Sequence, residues 1–422
     1  MAIDMTPDIT PDRLALQVRE WLATNWRGVD DREWREKVVL AGWAAPTFAE
    51  NAYGLGLSKS LAQVVSAEFT AVGAPRSCQD LGPGVVDGWV RMIGMAVARY
   101  GRPELRAEFV RDLLVGDADG GLALYSEPNA GSDLAGLQTR AVLDGDHWIV
   151  NGQKVWSSGP LNSTWGALLA RTDEDVPKHQ GITFFIVPLQ QPGVEVRPIK
   201  QITGDSEFNE VFMTDVRVPA GNVVGEVNDG WRILQIVLAA EREWLGEYLE
   251  SIGRPKEAAG EDGRTLAPIA DGAADLVRAA RRAGRTDDSA IRQTIAQLHT
   301  WRLVHQWTTE RLSSASDSAQ SQVAAAALGK LASSRILHSV GRFKAQMLGP
   351  QAMLYGPDNR TGDDVNREMM NAFTNSVGGG TDQIQRNIIS ERLLGMPRGH
   401  TPDRGVPFRD IRKGTAQRNI SS

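Results

Sequence analysis

The residues best suited to chemistry lie between Tyr125 and Gly159, in two short stretches rich in glycine and hydroxyl side chains. The first is a tight loop around Gly131 and Ser132, and such loops expose backbone N–H groups that can hold phosphate or carbonyl oxygens. The second ends in Trp156-Ser157-Ser158-Gly159, where an indole face beside two hydroxyls suits a flat heterocycle with polar edges. Together the two stretches predict a cofactor site rather than a packed core.

The composition argues against several classes of site and partner. The chain of 422 residues carries a net charge of −6 and one cysteine, Cys78, so it offers no internal disulfide and no thiolate cluster for zinc. Its six histidines show no paired-ligand spacing, and no metal is predicted. No block of Lys and Arg dominates, so nucleic acid is not an expected partner. No apolar run approaches the ~20 residues of a membrane helix and no signal peptide is recognisable, so we expect a cytosolic protein without a membrane span.

Three regions of different periodicity must position these groups. Residues 1–118 repeat apolar side chains at helical spacing, and residues 119–226 change to short strands separated by turns. Residues 227–398 return to long helices with short connections, a pattern typical of a four-helix bundle, and residues 399–422 form a tail. We therefore predict an α+β fold with an N-terminal helical domain, a small β-barrel or sandwich domain in the middle, and a C-terminal helical bundle.

Turn signals divide the middle region. Asp144-Gly145-Asp146 predicts a hairpin between two strands, and Asn151-Gly152 predicts a further turn before a short strand at Gln153–Ser157. After the β region, Trp231 to about Ser251 is expected to form one helix.

The order of these regions and their motifs resemble the acyl-CoA dehydrogenase family from about residue 12 to Arg398. The motifs that carry the resemblance are Tyr125–Arg140, Asn151–Gly159, Glu210–Pro219, Gly230-Trp231 and Thr381–Ile389. The resemblance implies FAD as cofactor, an acyl-CoA thioester as substrate, and electron-transferring flavoprotein as electron acceptor. It also implies that a base removes the α-proton while the β-hydrogen leaves as hydride to flavin N5.

Matching the first motifs residue by residue implies the following roles. Ser126 is similar to the hydroxyl residue beside the flavin pyrimidine edge. Gly131 and Ser132 resemble the turn shared by the flavin and the phosphate-bearing arm of the substrate. Trp156 would lie along the isoalloxazine ring, and Ser158 would reach N5.

Arginines are frequent after residue 277, which indicates either a solvated helix face or an anion site for phosphates. In the family a second subunit completes the FAD site. Arg282 precedes Gln293 by eleven residues, the spacing of the family's Arg that contacts the flavin pyrophosphate. The usual Arg-x-x-Phe-Gly motif is absent, and Arg285 is a rival for this role.

The last motifs imply further cofactor contacts. Gln346 and Gly349 resemble a Gln-x-x-Gly-Gly turn near the adenosine end of FAD, although Pro350 replaces its second glycine. Thr381 and Gln383 resemble flavin-contacting residues that follow the usual base.

The usual base is missing. The family's Tyr-Glu-Gly-Thr motif corresponds to Gly378-Gly379-Gly380-Thr381, and Gly379 has no group that takes a proton. A minority of the family carries the base on the helix after the β domain, where Glu241 matches it and Arg242 matches an adjacent, substrate-binding Arg. The alternative is that Glu241 is one of several surface acids. Glu243 cannot serve the same site, because two residues along a helix turn the side chain by about 200°.

The combination of motifs is similar to actinobacterial enzymes of sterol side-chain degradation, several of which are α2β2 heterotetramers. The chain is therefore expected to form a homo-oligomer or a heterotetramer with a related chain. Gly379 with Ala239 and Ala240 would leave room for a branched or ring-bearing acyl group. Two alternatives remain, namely a non-catalytic subunit of a heterotetramer and a flavin oxidase of the same fold.

Overall fold

The computed structural model describes residues 9–76, 88–117, 121–159, 161–251, 272–314, 319–354, 356, 359–399 and 401–411. The chain divides into two compact units. The first contains residues 1–200, 206–237 and 402–422, and the second contains residues 201–205 and 238–401.

The first unit begins with helices. They are α1 (Pro11–Asn25), α2 (Arg32–Leu40), α3 (Lys59–Ala71), α4 (Met95–Tyr100), α5 (Pro103–Leu105) and α6 (Arg111–Val115). Helix α1 follows directly from its sequence, because Thr10 accepts a hydrogen bond from the Arg13 N–H and a proline occupies the first turn. Its buried residues, Leu14, Val18 and Leu22, recur every four positions on one face.

A seven-stranded sheet completes this unit. Its strands are β1 (Gly121–Leu124), β2 (Arg140–Asp144), β3 (His147–Ser158), β4 (Trp165–Arg171), β5 (Ile182–Pro188), β6 (Val194–Ile199) and β7 (Phe208–Pro219). The order is β1-β4-β2-β3-β7-β6, with β5 paired to β4. Alternate side chains such as Trp148 and Val150 point into one apolar core with Phe185 and Val216.

One predicted turn was wrong. Asn151-Gly152 does not end a strand, because β3 runs without a break from His147 to Ser158. The Asn151 amide instead pairs across the sheet with Asp215, and a Cβ on Gly152 would lie 2.7 Å from the Thr139 Cα. Glycine is needed here for a close backbone approach, not for a reversal of the chain.

The second unit is helical. Helix α7 (Gly230–Ser251) enters it at Leu238, and α8 (Gly272–Arg282), α9 (Ser289–Ser314), α10 (Ala319–Leu348), α11 (Arg360–Val377) and α12 (Asp382–Ile388) follow. Leu276, Ile291, Val340 and Phe343 pack in its apolar core. The elements follow the predicted order, in which helices come first, then the sheet, then helices again. The predicted domain boundaries stay predictions. Within the described ranges no helix is both long and apolar enough to cross a bilayer.

Candidate cofactor site and candidate base

A β-bulge near the end of β3 decides which side chains face outward. The pairing of β3 with β7 changes register between Lys154 and Ser157, and Trp156 takes a left-handed φ of 63°. The inward positions run through Trp148, Val150 and Lys154, so a regular strand would also bury residues 156 and 158. The bulge reverses this alternation. Ser157 is buried, while Trp156 is 59% exposed and Ser158 lies on the same exposed face.

Residues of β7 hold the end of β3 in this conformation. The Phe208 ring meets the Trp156 indole edge to face, with centroids 6.0 Å apart. The buried Asn209 donates from Nδ2 to the carbonyl oxygens of Ser157 (3.1 Å) and Gly159 (2.9 Å). A large aromatic side chain is thus kept exposed in a strained backbone, an arrangement characteristic of functional sites.

The glycine-rich loop lies against this strand. The Val155 N–H donates to the Ser126 carbonyl oxygen at 2.9 Å, which places Ser126 next to the bulge. Gly131 and Ser132 are exposed, and a Cβ added to Gly131 would meet nothing within 4 Å. The structure therefore brings Ser126 to Trp156, with Gly131 and Ser132 further along the same loop.

A buried ion pair, which sequence reasoning missed, joins the loop to β3. Lys154 has no exposed surface, and its Nζ donates to Glu127 Oε1 (2.8 Å) and to the Tyr125 carbonyl oxygen (3.0 Å). Glu127 also accepts from the N–H groups of Gln138 (2.6 Å) and Thr139 (2.8 Å). Burial alone would raise the pKa of Glu127, but the Lys154 charge and these hydrogen bonds outweigh it and lower that pKa. The sequence signal that could have revealed this pair is Lys154, a lysine at a strand position that faces inward.

The candidate base lies on α7 in the second unit. Glu241 is half-buried, whereas the side chain of Arg242 lies outside the described residues. Position 379, where the family's usual base would stand, is part of a turn. Gly379 and Gly380 have left-handed φ values of 63° and 87°, and a Cβ on Gly379 would meet nothing within 4 Å.

Buried side chains fix the carbonyl groups of this turn. Lys330 on α10 donates to the Gly380 carbonyl oxygen, and Gln385 Nε2 donates to that of Gly379 at 3.1 Å. Thr381 caps α12 by accepting from the Ile384 N–H at 3.2 Å, and Gln383 is exposed. The turn has a defined shape and contains no carboxyl group.

The two candidate arginines differ in their contacts. Arg285 donates to Asp288 at 2.6 Å, and Asp288 in turn accepts from the first N–H groups of α9. Arg282, the last residue of α8, is exposed. Gln346 is exposed near the end of α10, and Gly349, with a φ of 58°, follows that helix. Because Arg285 is already paired with Asp288 and Arg282 is exposed, Arg282 is the better placed of the two arginines for binding an anion.

The comparisons with known proteins cover most of the chain. The family "Acyl-CoA dehydrogenase, middle domain" matches residues 123–216, and "Acyl-CoA dehydrogenase, C-terminal domain" matches residues 259–394. Acyl-CoA dehydrogenase IpdE1 of Mycobacterium tuberculosis is 33% identical over 403 residues, which cover 90% of this chain and 97% of IpdE1.

Two solved structures share the fold at similar length. A variant of the "Tcur3481-Tcur3483 steroid ACAD" has a TM-score of 0.65 and 25% identity, covering 92% of this chain and all (100%) of its own. The ChsE4-ChsE5 complex from Mycobacterium tuberculosis has a TM-score of 0.59 and 26% identity, covering 93% of this chain and 100% of its own. The predicted fold is confirmed, and the chain belongs to the acyl-CoA dehydrogenase family of flavoprotein oxidoreductases.

Proposed function

We propose that this chain catalyses the FAD-dependent α,β-dehydrogenation of an acyl-CoA thioester, with Glu241 as the base. The observation that carries the proposal is the end of β3, where a bulge exposes the Trp156 indole and Ser158, and where Val155, next to Trp156, is hydrogen-bonded to Ser126. An apolar face with hydroxyl groups at its margin fits the flat, polar-edged ring of a flavin.

The side chains present suit each part of FAD. When bound, FAD supplies the acceptor for the β-hydride. Trp156 would cover one side of the ring, while Ser126 and Ser158 would offer hydroxyl groups to its polar edges. FAD is proposed rather than a shorter flavin because the exposed Arg282 suits a pyrophosphate. The other proposed contacts to FAD are Gly131, Ser132, Gln346, Gly349, Thr381 and Gln383.

Glu241 is the proposed base because residue 379 has no side chain to accept a proton. Hydrogen bonds that polarise the thioester carbonyl acidify the α-proton, and a carboxylate in reach removes it. Glu241 is a half-buried carboxyl on the matching helix. Ser132 and Arg242 are the proposed contacts to the acyl-CoA itself.

The proposed acyl group is branched or ring-bearing. A Cβ on Gly379 would meet nothing within 4 Å, and Ala239 and Ala240 are small residues just before Glu241 on α7. The relative described as a steroid ACAD supports this size class.

We also propose a cytosolic oligomer that passes electrons to electron-transferring flavoprotein. The ChsE4-ChsE5 complex is an assembly of two chains, which supports pairing with a related chain; pairing with a second copy is the other arrangement. Gly379 favours one alternative function, a subunit that does not turn over by itself. The carboxyl retained at Glu241 opposes that alternative.

Anaerobic bleaching of the bound flavin tests the proposal. The purified chain, alone and co-expressed with a related chain, is mixed with straight, branched and steroid-type acyl-CoA thioesters. Loss of the visible absorbance of the oxidised flavin with a bulky acyl-CoA supports it. A chain that holds no flavin in either preparation, or that bleaches with none of the thioesters, contradicts it.

A further inference from the structure

Residues 402–411, called the strap here, pack against the segment between β4 and β5 in the first unit. The Phe408 N–H donates to the Val176 carbonyl oxygen (2.9 Å), and the Arg409 N–H donates to that of Glu174 (3.0 Å). The Phe408 ring is only 2% exposed, so the strap inserts an apolar anchor as well as backbone hydrogen bonds. The strap is therefore a docked part of this unit.

Lys178 links the strap to the glycine-rich loop. Its Nζ donates to Asp403 Oδ2 of the strap at 2.7 Å and to Asp133 Oδ2 of the loop at 2.8 Å. Burial alone would lower the pKa of Lys178, but its hydrogen bonds to the two carboxylates outweigh burial and raise that pKa. One cation thus joins Asp133, which precedes it by 45 residues, to Asp403, which follows it by 225 residues.

Arg171 forms a second link. It is almost completely buried, and its Nη2 donates to the carbonyl oxygens of Ala135 (2.6 Å) and Leu137 (3.3 Å) in the loop. Its guanidinium carbon lies 3.7 Å from the centroid of the Phe408 ring. Nη1 donates to the Lys178 carbonyl oxygen at 2.7 Å, which ties the two links together.

These contacts support different parts of the loop. Glu127 and Lys154 hold the half that contains Ser126 and, through the Gln138 and Thr139 N–H groups, the end of the loop. Lys178 and Arg171 hold the half from Asp133 to Leu137, which directly follows Gly131 and Ser132. In that half, Arg171 bonds the carbonyl oxygens of Ala135 and Leu137, and Lys178 bonds the Asp133 carboxylate. Both cations also contact the strap, Arg171 at Phe408 and Lys178 at Asp403.

We propose that the strap is part of the cofactor and substrate site, and that Lys178, Arg171 and Asp403 are positioning residues for Gly131 and Ser132. The part of this inference that concerns ligands rests on the proposed function. It predicts that loss of a strap contact loosens the outer half of the loop and weakens binding, while the chemistry itself is little changed.

The test compares Asp403→Ala with Asp410→Ala in the full-length chain. Asp410 is an exposed strap residue of the same type, so its replacement is a matched control. Hydrogen exchange is followed at the amides of Gly136 and Leu137, which are bonded to the carbonyl oxygens of Asp133 and Leu134. The Thr139 amide, which is bonded to Glu127, is the internal reference.

Asp403→Ala should speed exchange at Gly136 and Leu137 roughly twofold to fivefold, as expected for a partly exposed ion pair. Exchange at Thr139 and in the Asp410→Ala variant should not change. Asp403→Ala should also raise the Kd for FAD or the KM for acyl-CoA by a similar factor, with kcat nearly constant. Phe408→Ala removes the other anchor and should act in the same direction.

Unchanged exchange at Gly136 and Leu137 in both Asp403→Ala and Phe408→Ala would overturn the proposal. Faster exchange with unaltered Kd and KM would overturn its ligand-binding part. If the unsubstituted chain holds no flavin and oxidises no acyl-CoA, the proposed function fails instead, and the exchange experiment still decides whether the strap holds the loop.

Discussion

At the scale of single residues, the site depends on which carboxyl groups are present and what surrounds them. Glu127 and Glu241 differ in their burial. Glu127 is buried and fully bonded by Lys154 and two backbone N–H groups, so it fixes structure. Glu241 is half-buried on a helix and is proposed to move a proton. Their substitutions should therefore have different consequences.

Glu241→Gln should keep FAD but lower kcat by about 10²–10⁴-fold, the usual contribution of a general base. Glutamine has the size of glutamate but cannot accept the α-proton at neutral pH. The control is Glu243→Gln, the same change about 200° around the helix. Stopped-flow flavin reduction measures the step directly. Reduction at the unsubstituted rate in Glu241→Gln would remove Glu241 from the mechanism.

Lys154→Met should lower the free energy of unfolding by about 3–5 kcal/mol, because it leaves the Glu127 carboxylate buried without its cation. The double variant Glu127→Leu/Lys154→Met should regain most of that loss, since no unpaired charge remains. Urea unfolding at neutral pH measures both. Equal stability of the single and double variants would show that the charges are not coupled.

The lowered pKa of Glu127 also predicts a dependence on pH. A carboxyl whose pKa is lower when folded stabilises the fold above its unfolded pKa, and that stability is lost as the pH falls through the folded value. Below the ordinary value of 4.5, the unsubstituted chain should therefore lose stability more steeply than the double variant. Unfolding free energies measured at several acidic pH values provide the comparison.

At the scale of elements, helices were easier to predict than the site-bearing strand. Helix α1 follows from a cap, a proline and one apolar face, all of them local signals. The Asn151-Gly152 pair is an equally clear local turn signal, yet β3 pairs with β7 on both sides of it, across a register shift between Val150 and Gly152, and this pairing overrides the signal. The bulge at Trp156 could not be predicted either, because it depends on contacts with Phe208 and Asn209.

Gly152→Ala should destabilise the chain by about 2–4 kcal/mol, because the new Cβ would overlap the Thr139 backbone. The control is Gly221→Ala, where a Cβ would meet nothing within 4 Å. Chemical denaturation of both variants measures the difference. If Gly152→Ala were as stable as the control, the close approach of β3 to Thr139 would be wrong.

At the scale of the whole molecule, the family and its order of regions were predictable, since motifs spread along the chain carry them. The supports of the loop were not, because Glu127 and Lys154 are separated by 27 residues and Lys178 and Asp403 by 225. No local pattern connects such distant positions. The assignment of Arg282 to a neighbouring subunit's FAD remains a prediction, and it can be tested by mixing subunits.

Glu241→Gln and Arg282→Ala chains should each be inactive alone but recover activity when co-expressed. If Arg282 serves the site of a partner copy, a mixed dimer contains one intact site, so about one quarter of all sites should be active. The measurement is turnover per mole of protein chain in the mixed preparation, compared with the unsubstituted protein. Absence of recovery would indicate that Arg282 acts within its own chain or that the partner is a different chain.

The strap also sets an order of events during synthesis. Residues 402–411 belong to the first unit, although the ribosome makes them only after residues 238–401 of the second. The loop that would receive the cofactor therefore waits, half supported, while the helical unit is translated and begins to fold. During that interval Glu127 and Lys154 can already hold the Ser126 side, whereas the Asp133 side still lacks its strap contacts. Nascent chains stopped before residue 402 should consequently be more open to proteases at Asp133–Leu137 than finished ones.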